Sequence, residues 1–164
     1  MKATLFEERL SAVPLVYRKG NPEDIIVSDC LTRIAYAIQN DLHVEFIGSS
    51  FGGFLAVSTA LIHTNVTRLV LLNPTIIPPG TDIRTIRGIP QRIAKEMIEP
   101  RLFEEKIKAK ILILRGSLDD VVPSKWIVSF ANAQQATIRT LVDDHQFTKN
   151  TEKLTTIIMQ YLKS

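Results

Sequence analysis

Sulfur chemistry is almost absent from this chain: Cys30 is its single cysteine, so no disulfide can form within it. The lone thiol sits on the inner face of an apolar helical pattern and reads as a small buried hydrophobe, and the absence of disulfides fits a reducing, cytoplasmic setting. Histidine is also scarce, with only His43, His63 and His145. No histidine, cysteine or carboxylate cluster has metal-ligand spacing, so neither a metal nor another cofactor is expected. No apolar run approaches the roughly 20 residues that span a membrane. The opening Met1-Lys2-Ala3-Thr4-Leu5-Phe6-Glu7-Glu8 lacks the apolar core of an export signal. Neither sign of charge dominates, with 20 lysines and arginines against 17 acids and a net charge of +3. A nucleic-acid partner is therefore not indicated. There is no repeat and no low-complexity linker.

What is present is a 164-residue chain of 45% hydrophobic content, enough for one sizeable core. A single domain over 1–164 is expected. Strand-type and helix-type periodicities alternate along it, which predicts an α/β architecture with a mostly parallel sheet covered on both faces. Short strands are expected at Ala3 to Phe6 and Val13 to Tyr17. Asn21-Pro22-Glu23-Asp24 has the order of a helix start, and Val27, Cys30, Leu31, Ile34 and Ile38 follow at helical spacing. Further strands are expected at Val44 to Ile47, Thr67 to Leu72, Lys110 to Leu114 and Thr137 to Val142, with a last helix over Thr151 to Leu162. The tract 75–105, opening with Pro78-Pro79-Gly80, is irregular apart from a helix expected over Ile89 to Ile98, broken at Pro100, and another turn or two up to Lys106. It is either a scaffold connection or a small cap.

The sharpest local signal is Gly48-Ser49-Ser50-Phe51-Gly52, a G-x-S-x-G spacing between a strand and a helix. Such a turn needs small residues on both sides of the serine, so a side chain at Gly48 or Gly52 is expected to collide with neighbouring backbone. Ser50 is the candidate nucleophile. The helix behind it aims unpaired amides and a positive dipole end at the place where an oxyanion forms, and the Phe51 amide is one donor.

An acid and a base follow in chain order. Asp119 lies just past the Lys110 to Leu114 strand in Gly116-Ser117-Leu118-Asp119-Asp120, and Asp120 is the alternative acid. His145 follows the next strand in Asp143-Asp144-His145-Gln146-Phe147. His43 and His63 are placed at the wrong ends of their elements to meet Ser50. In the roles these residues suit, His145 takes the serine proton and returns it to the leaving group while Asp119 holds the imidazole.

The order Ser50, Asp119, His145, together with the three segments that carry them, resembles the α/β-hydrolase superfamily. The doubled serine, the doubled glycine and Leu71-Leu72-Asn73-Pro74 are similar to small bacterial serine esterases. The likeness covers roughly residues 13 to 160. It implies a minimal α/β-hydrolase fold, truncated at the N-terminus, that cleaves a carboxylic ester or thioester of a small molecule through an acyl-serine. Amide or peptide hydrolysis by the same triad, or a non-catalytic binding module, are the alternatives.

One departure from the family pattern stands out. No His-Gly pair precedes residue 43, so the second oxyanion donor is left open among Arg18, Lys19, Gly20 and the stretch Glu7 to Arg9. Ser49, Ile76 and Ile77 are expected to contact substrate, with Ile86, Ile89 and Met97 completing an apolar acyl pocket if 75–105 forms a cap. The short N-terminus also predicts an exposed sheet edge and, through it, a homodimer.

Overall fold

The structure is a computed structural model, and it describes residues 2–18 and 20–164. Helix α1 (Lys2–Leu10) is followed by an extended segment, a short 3₁₀ turn at Pro22–Asp24 and α2 (Val27–Ile38). The chain then runs β1 (Val44–Ser49), α3 (Phe51–Ile62), β2 (Val66–Leu72), α4 (Gln91–Glu96) and α5 (Arg101–Glu104). It closes with β3 (Lys110–Gly116), α6 (Ser124–Gln134), β4 (Thr137–Leu141) and α7 (Thr151–Leu162).

The four strands lie in the order β1-β2-β3-β4, and every pairing is parallel. Strands laid side by side in chain order by right-handed crossovers must place all their connections on one face. That is the arrangement found: α3, α5 and α6 pack with α2 on a core that includes Leu69, Leu71, Ile111 and Ile113. The alternate residues Val70, Leu72, Leu112 and Leu114 point the other way, onto α1 and α7. Both faces of β2 and β3 are thus buried, which is why these strands are continuous runs of Leu, Ile and Val rather than alternating ones.

Three expectations at the N-terminus are corrected. Residues Ala3 to Phe6 are not a strand but part of α1, because Phe6 and Leu10 fill the face left open beside α7. Val13 to Tyr17 is extended without joining the sheet, so β1 is an edge strand with β2 as its only partner among the described strands. The segment Asn21 to Asp24 makes only the 3₁₀ turn, and Asn21 gives no side-chain cap; α2 begins at Val27.

The start of α2 is instead satisfied from a distance. Val27 N–H donates to Glu96 Oε2 on α4 at 2.9 Å. Arg92 bridges Glu96 Oε1 and the carbonyls of Glu23 and Ile25. Further along tract 75–105, the buried Gln134 of α6 accepts from Ile107 N–H and donates to the carbonyls of Leu102 and Glu105. The later part of the tract is therefore pinned at two places, onto the start of α2 and onto α6. Among the described residues, no helix is long and apolar enough to cross a membrane.

Candidate active site

Ser50 occupies the tip between β1 and α3 with φ 52° and ψ −118°. A non-glycine residue there is strained, at a cost of order 1–3 kcal/mol, and persists only where its surroundings over-determine it. They do so here through the backbone. Ser50 N–H donates to the Leu72 carbonyl at 3.0 Å, and its own carbonyl accepts from Gly53 N–H at 2.9 Å and Thr75 N–H at 3.1 Å.

The glycines around Ser50 are needed unequally. A Cβ on Gly48 would lie 2.6 Å from the Gly52 carbonyl oxygen and 2.8 Å from Gly53 Cα, and one on Gly53 would lie 2.7 Å from Pro74 Cβ. Gly52, by contrast, has nothing within 4 Å of a Cβ. The expectation of a clash at Gly52 is therefore wrong: its Cβ direction faces the groove beside the β1 edge, and Gly53 is the residue that makes the close contact.

The candidate acid and base meet directly. His145 Nδ1 is 3.0 Å from Asp119 Oδ2. A carboxylate oxygen can only accept, so Nδ1 carries the hydrogen, and in the neutral imidazole this is the tautomer that leaves the Nε2 lone pair free. Asp119 is itself fixed by the N–H groups of Val121 and Val122, which donate to Oδ1 at 2.8 and 3.1 Å. Asp120 is exposed, and no hydrogen bond or ion pair joins it to His145. Ser50 Oγ has its hydrogen bond with Thr75 Oγ1 at 3.1 Å, and no hydrogen bond joins it to His145.

The loop that carries His145 is held from beneath. Asn73, wholly buried and with φ 42°, donates from Nδ2 to the His145 carbonyl at 3.0 Å and accepts at Oδ1 from Gly116 N–H at 2.8 Å. One side chain thus ties the ends of β2 and β3 to the histidine. Gly116 lets the loop approach, since a Cβ there would lie 2.6 Å from the carbonyl oxygens of both Asp143 and Asp144.

Asp143 is fully buried, and it accepts from the N–H groups of Asp144, Lys149 and Asn150 and from the Asn150 side chain. Burial alone would push its carboxyl up, but those hydrogen bonds hold it below the ordinary range. Asp144 is likewise held low, chiefly by the Thr148 hydroxyl. Sequence reasoning missed Thr75 and the anchoring role of Asn73. Neither belongs to a spacing pattern, although both follow directly on the β2 end.

A cavity of about 500 Å³ opens at Ser50, Phe51 and Thr75. Its walls include Tyr17, Arg18, Trp126 and, from tract 75–105, Ile86, Ile89, Ile93 and Met97. Ile76 and Ile77 do not line it; each is 1% exposed and belongs to the core, because the chain turns inward directly after Pro74. Ser49 does not face it either. Strand alternation turns Ser49 toward α1, where Lys2 Nζ donates to its hydroxyl at 3.3 Å.

Of the segments considered for a second oxyanion donor, Arg18 lines the cavity. Glu7 to Arg9 lie on α1 near α7, and Gly20 is exposed with no part in the wall. Lys19 lies outside the described residues. The Phe51 N–H heads α3, where no residue of the helix can accept from it. Among the described residues no group of three or more His, Cys, Asp or Glu could hold a metal ion.

The meta-cleavage product hydrolase CumD from Pseudomonas fluorescens IP01 superposes with a TM-score of 0.71 at 16% identity, over 99% of this chain and 84% of that one. The monoacylglycerol lipase of Paleococcus ferrophilus gives 0.66 at 16% identity, over 88% and 77% of the two chains. Est1E from Butyrivibrio proteoclasticus gives 0.65 at 21%, over 85% and 70%. This is the α/β-hydrolase fold. Within it, residues 17–162 match the model of Uncharacterised protein family UPF0227, and the chain belongs to that family. No curated protein matches the sequence.

Proposed function

We propose that the protein is a serine hydrolase that cleaves a carboxylic ester or thioester of a small molecule through an acyl-serine. The observation that carries this reading is the 3.0 Å pair of Asp119 and His145, at the same sheet edge as a strained Ser50 that heads α3 and opens into a largely apolar cavity. In the reaction Ser50 Oγ leaves Thr75, gives its proton to His145 Nε2 and bonds to the substrate carbonyl carbon. The carbonyl oxygen gains the negative charge and is met by the Phe51 N–H and the α3 dipole. When the bond to the leaving oxygen or sulfur breaks, imidazolium returns the proton to it. Water then repeats the sequence on the acyl-serine, and Asp119 holds the tautomer throughout.

A second reading, a hydrolase-fold binding module, is favoured by the Ser50 to Thr75 hydrogen bond and by Phe51 being the one assigned oxyanion donor. Each such donor is typically worth about 10² to 10³ in rate. Amide hydrolysis by the same triad is the third reading, and it needs no different residues. The deciding experiment is labelling by a fluorophosphonate probe with mass mapping of the adduct, beside hydrolysis of p-nitrophenyl butyrate and p-nitrophenyl acetanilide-type amides. Labelling at Ser50 and ester turnover, both lost in Ser50→Ala, are the expected results. A folded protein that neither labels nor turns over would overturn the catalytic reading in favour of the binding module.

A further inference from the structure

The cavity at Ser50 is apolar inside and cationic at its mouth. Arg18 from the extended N-terminal segment, Arg87 from tract 75–105 and Lys125 from the first turn of α6 all line it, against the single acid Asp120. All three cations are exposed, and none forms an ion pair among the described residues. That is not the general state of the arginines nearby. Arg84, Arg92 and Arg101 are each neutralised by a carboxylate, Asp82, Glu96 and Glu105, at 2.7 to 2.9 Å. The one arginine of tract 75–105 that lines the cavity is thus the one with no carboxylate partner among the described residues.

We propose that the substrate is an anionic ester, one whose chain carries a carboxylate or phosphate away from the scissile carbonyl, and that Arg18, Arg87 and Lys125 receive that group. This rests on the hydrolase reading for the word ester, and on the cavity alone for the anion. Cations around a low-dielectric cleft focus their field into it, so an anion is drawn to the mouth before the chain is seated. The planar guanidinium forks of two arginines then match a carboxylate or phosphate with paired N–H donors. With the charge at the rim, the apolar part of the chain lies against Ile86, Ile89 and Trp126, and its carbonyl is carried inward to Ser50.

Trp126 is the only tryptophan and lines this cavity, so its fluorescence reads binding without turnover. The test uses the Ser50→Ala protein, titrated with methyl hexanoate, monomethyl adipate and a phosphate-ended methyl hexanoate. The expected result is that the two anions bind about tenfold or more tighter than the neutral ester. That preference should shrink between about 0.05 M and about 0.5 M salt, because the contacts are exposed and screened. It should collapse in an Arg87→Gln, Lys125→Gln double variant and persist in Arg101→Gln, whose cation is paired elsewhere.

Comparing the two anions separates carboxylate from phosphate recognition. Equal binding of all three esters, or no response to any of them, would overturn the proposal. Wild-type labelling at Ser50 keeps the two failures apart. Labelling without an anion preference removes only this inference, whereas an anion preference without labelling leaves an anion-binding cavity and removes the catalysis.

Discussion

Ser50 and His145 sit at the same edge of one sheet, yet they are held by different means. The turn at the serine is cleared by its neighbours in the chain, Gly48 and Gly53, and tied to the β2 end only through the Leu72 carbonyl and the Thr75 N–H. The histidine is held mainly by residues remote in sequence, Asn73, Gly116 and Asp119. A nucleophile on a sharp turn needs local sterics, whereas a base that must face it across the sheet needs the ends of three strands to agree.

The largest way to break the comparison is at the pair itself. Asp119→Asn should lower kcat on p-nitrophenyl butyrate by about 10⁴, because an amide in place of the carboxylate favours the wrong imidazole tautomer. Its thermal midpoint should move little, since the N–H groups of Val121 and Val122 still find an acceptor in the amide oxygen.

The next test lies within the elbow. Gly48→Ala forces backbone apart and should destabilise by about 1–3 kcal/mol or more in urea unfolding. Gly52→Ala meets nothing and should be neutral or slightly stabilising, by up to about 1 kcal/mol of helix propensity. Equal effects at the two glycines would refute the unequal roles described above.

On the histidine side, Asn73→Ala removes partners from Gly116 N–H and the His145 carbonyl and should cost about 1–3 kcal/mol. It should also reduce kcat and slow fluorophosphonate labelling of Ser50 together, because the probe reads a serine that its base activates. If kcat and labelling stay at the wild-type level while stability falls, Asn73 supports the fold and not the histidine.

The smallest expected effect is on acid stability. Asp143 has its carboxyl held below the ordinary value, so its contribution is present at neutral pH. That contribution falls away as the pH drops below about 3.9 and through the lowered native value. The thermal midpoint followed from about pH 7 to about pH 3 should decline less steeply in Asp143→Asn than in wild type.

How much was legible varies by region. β1, β2, β3 and α7 are continuous or periodic apolar runs, and the structure places them within a residue or two of the expected positions. Residues 2–10 carry Leu5, Phe6 and Leu10 in a pattern that suits a short strand as readily as a helix. The face beside α7 settled it as a helix. The start of α2 is set by Glu96, 69 residues away, and no capping residue near Val27 could have marked it. Ile76 and Ile77 are apolar and close to Ser50 in the fold, but an apolar residue suits a core as well as a pocket, and only the inward turn after Pro74 assigns them to the core.

By itself the sequence determined the elbow, the chain order of Ser50, Asp119 and His145, and the alternation of strands and helices, since these depend on turn sterics and on periods of two and 3.6 residues. The tertiary structure alone decided that the Asp119 carboxylate reaches His145 Nδ1, that Asn73 holds the histidine loop, and that cations from three separate segments, without an ion pair among the described residues, line one cavity. Such outcomes depend on which strand ends lie side by side and on which charges have already found partners, and both are properties of the packed chain as a whole.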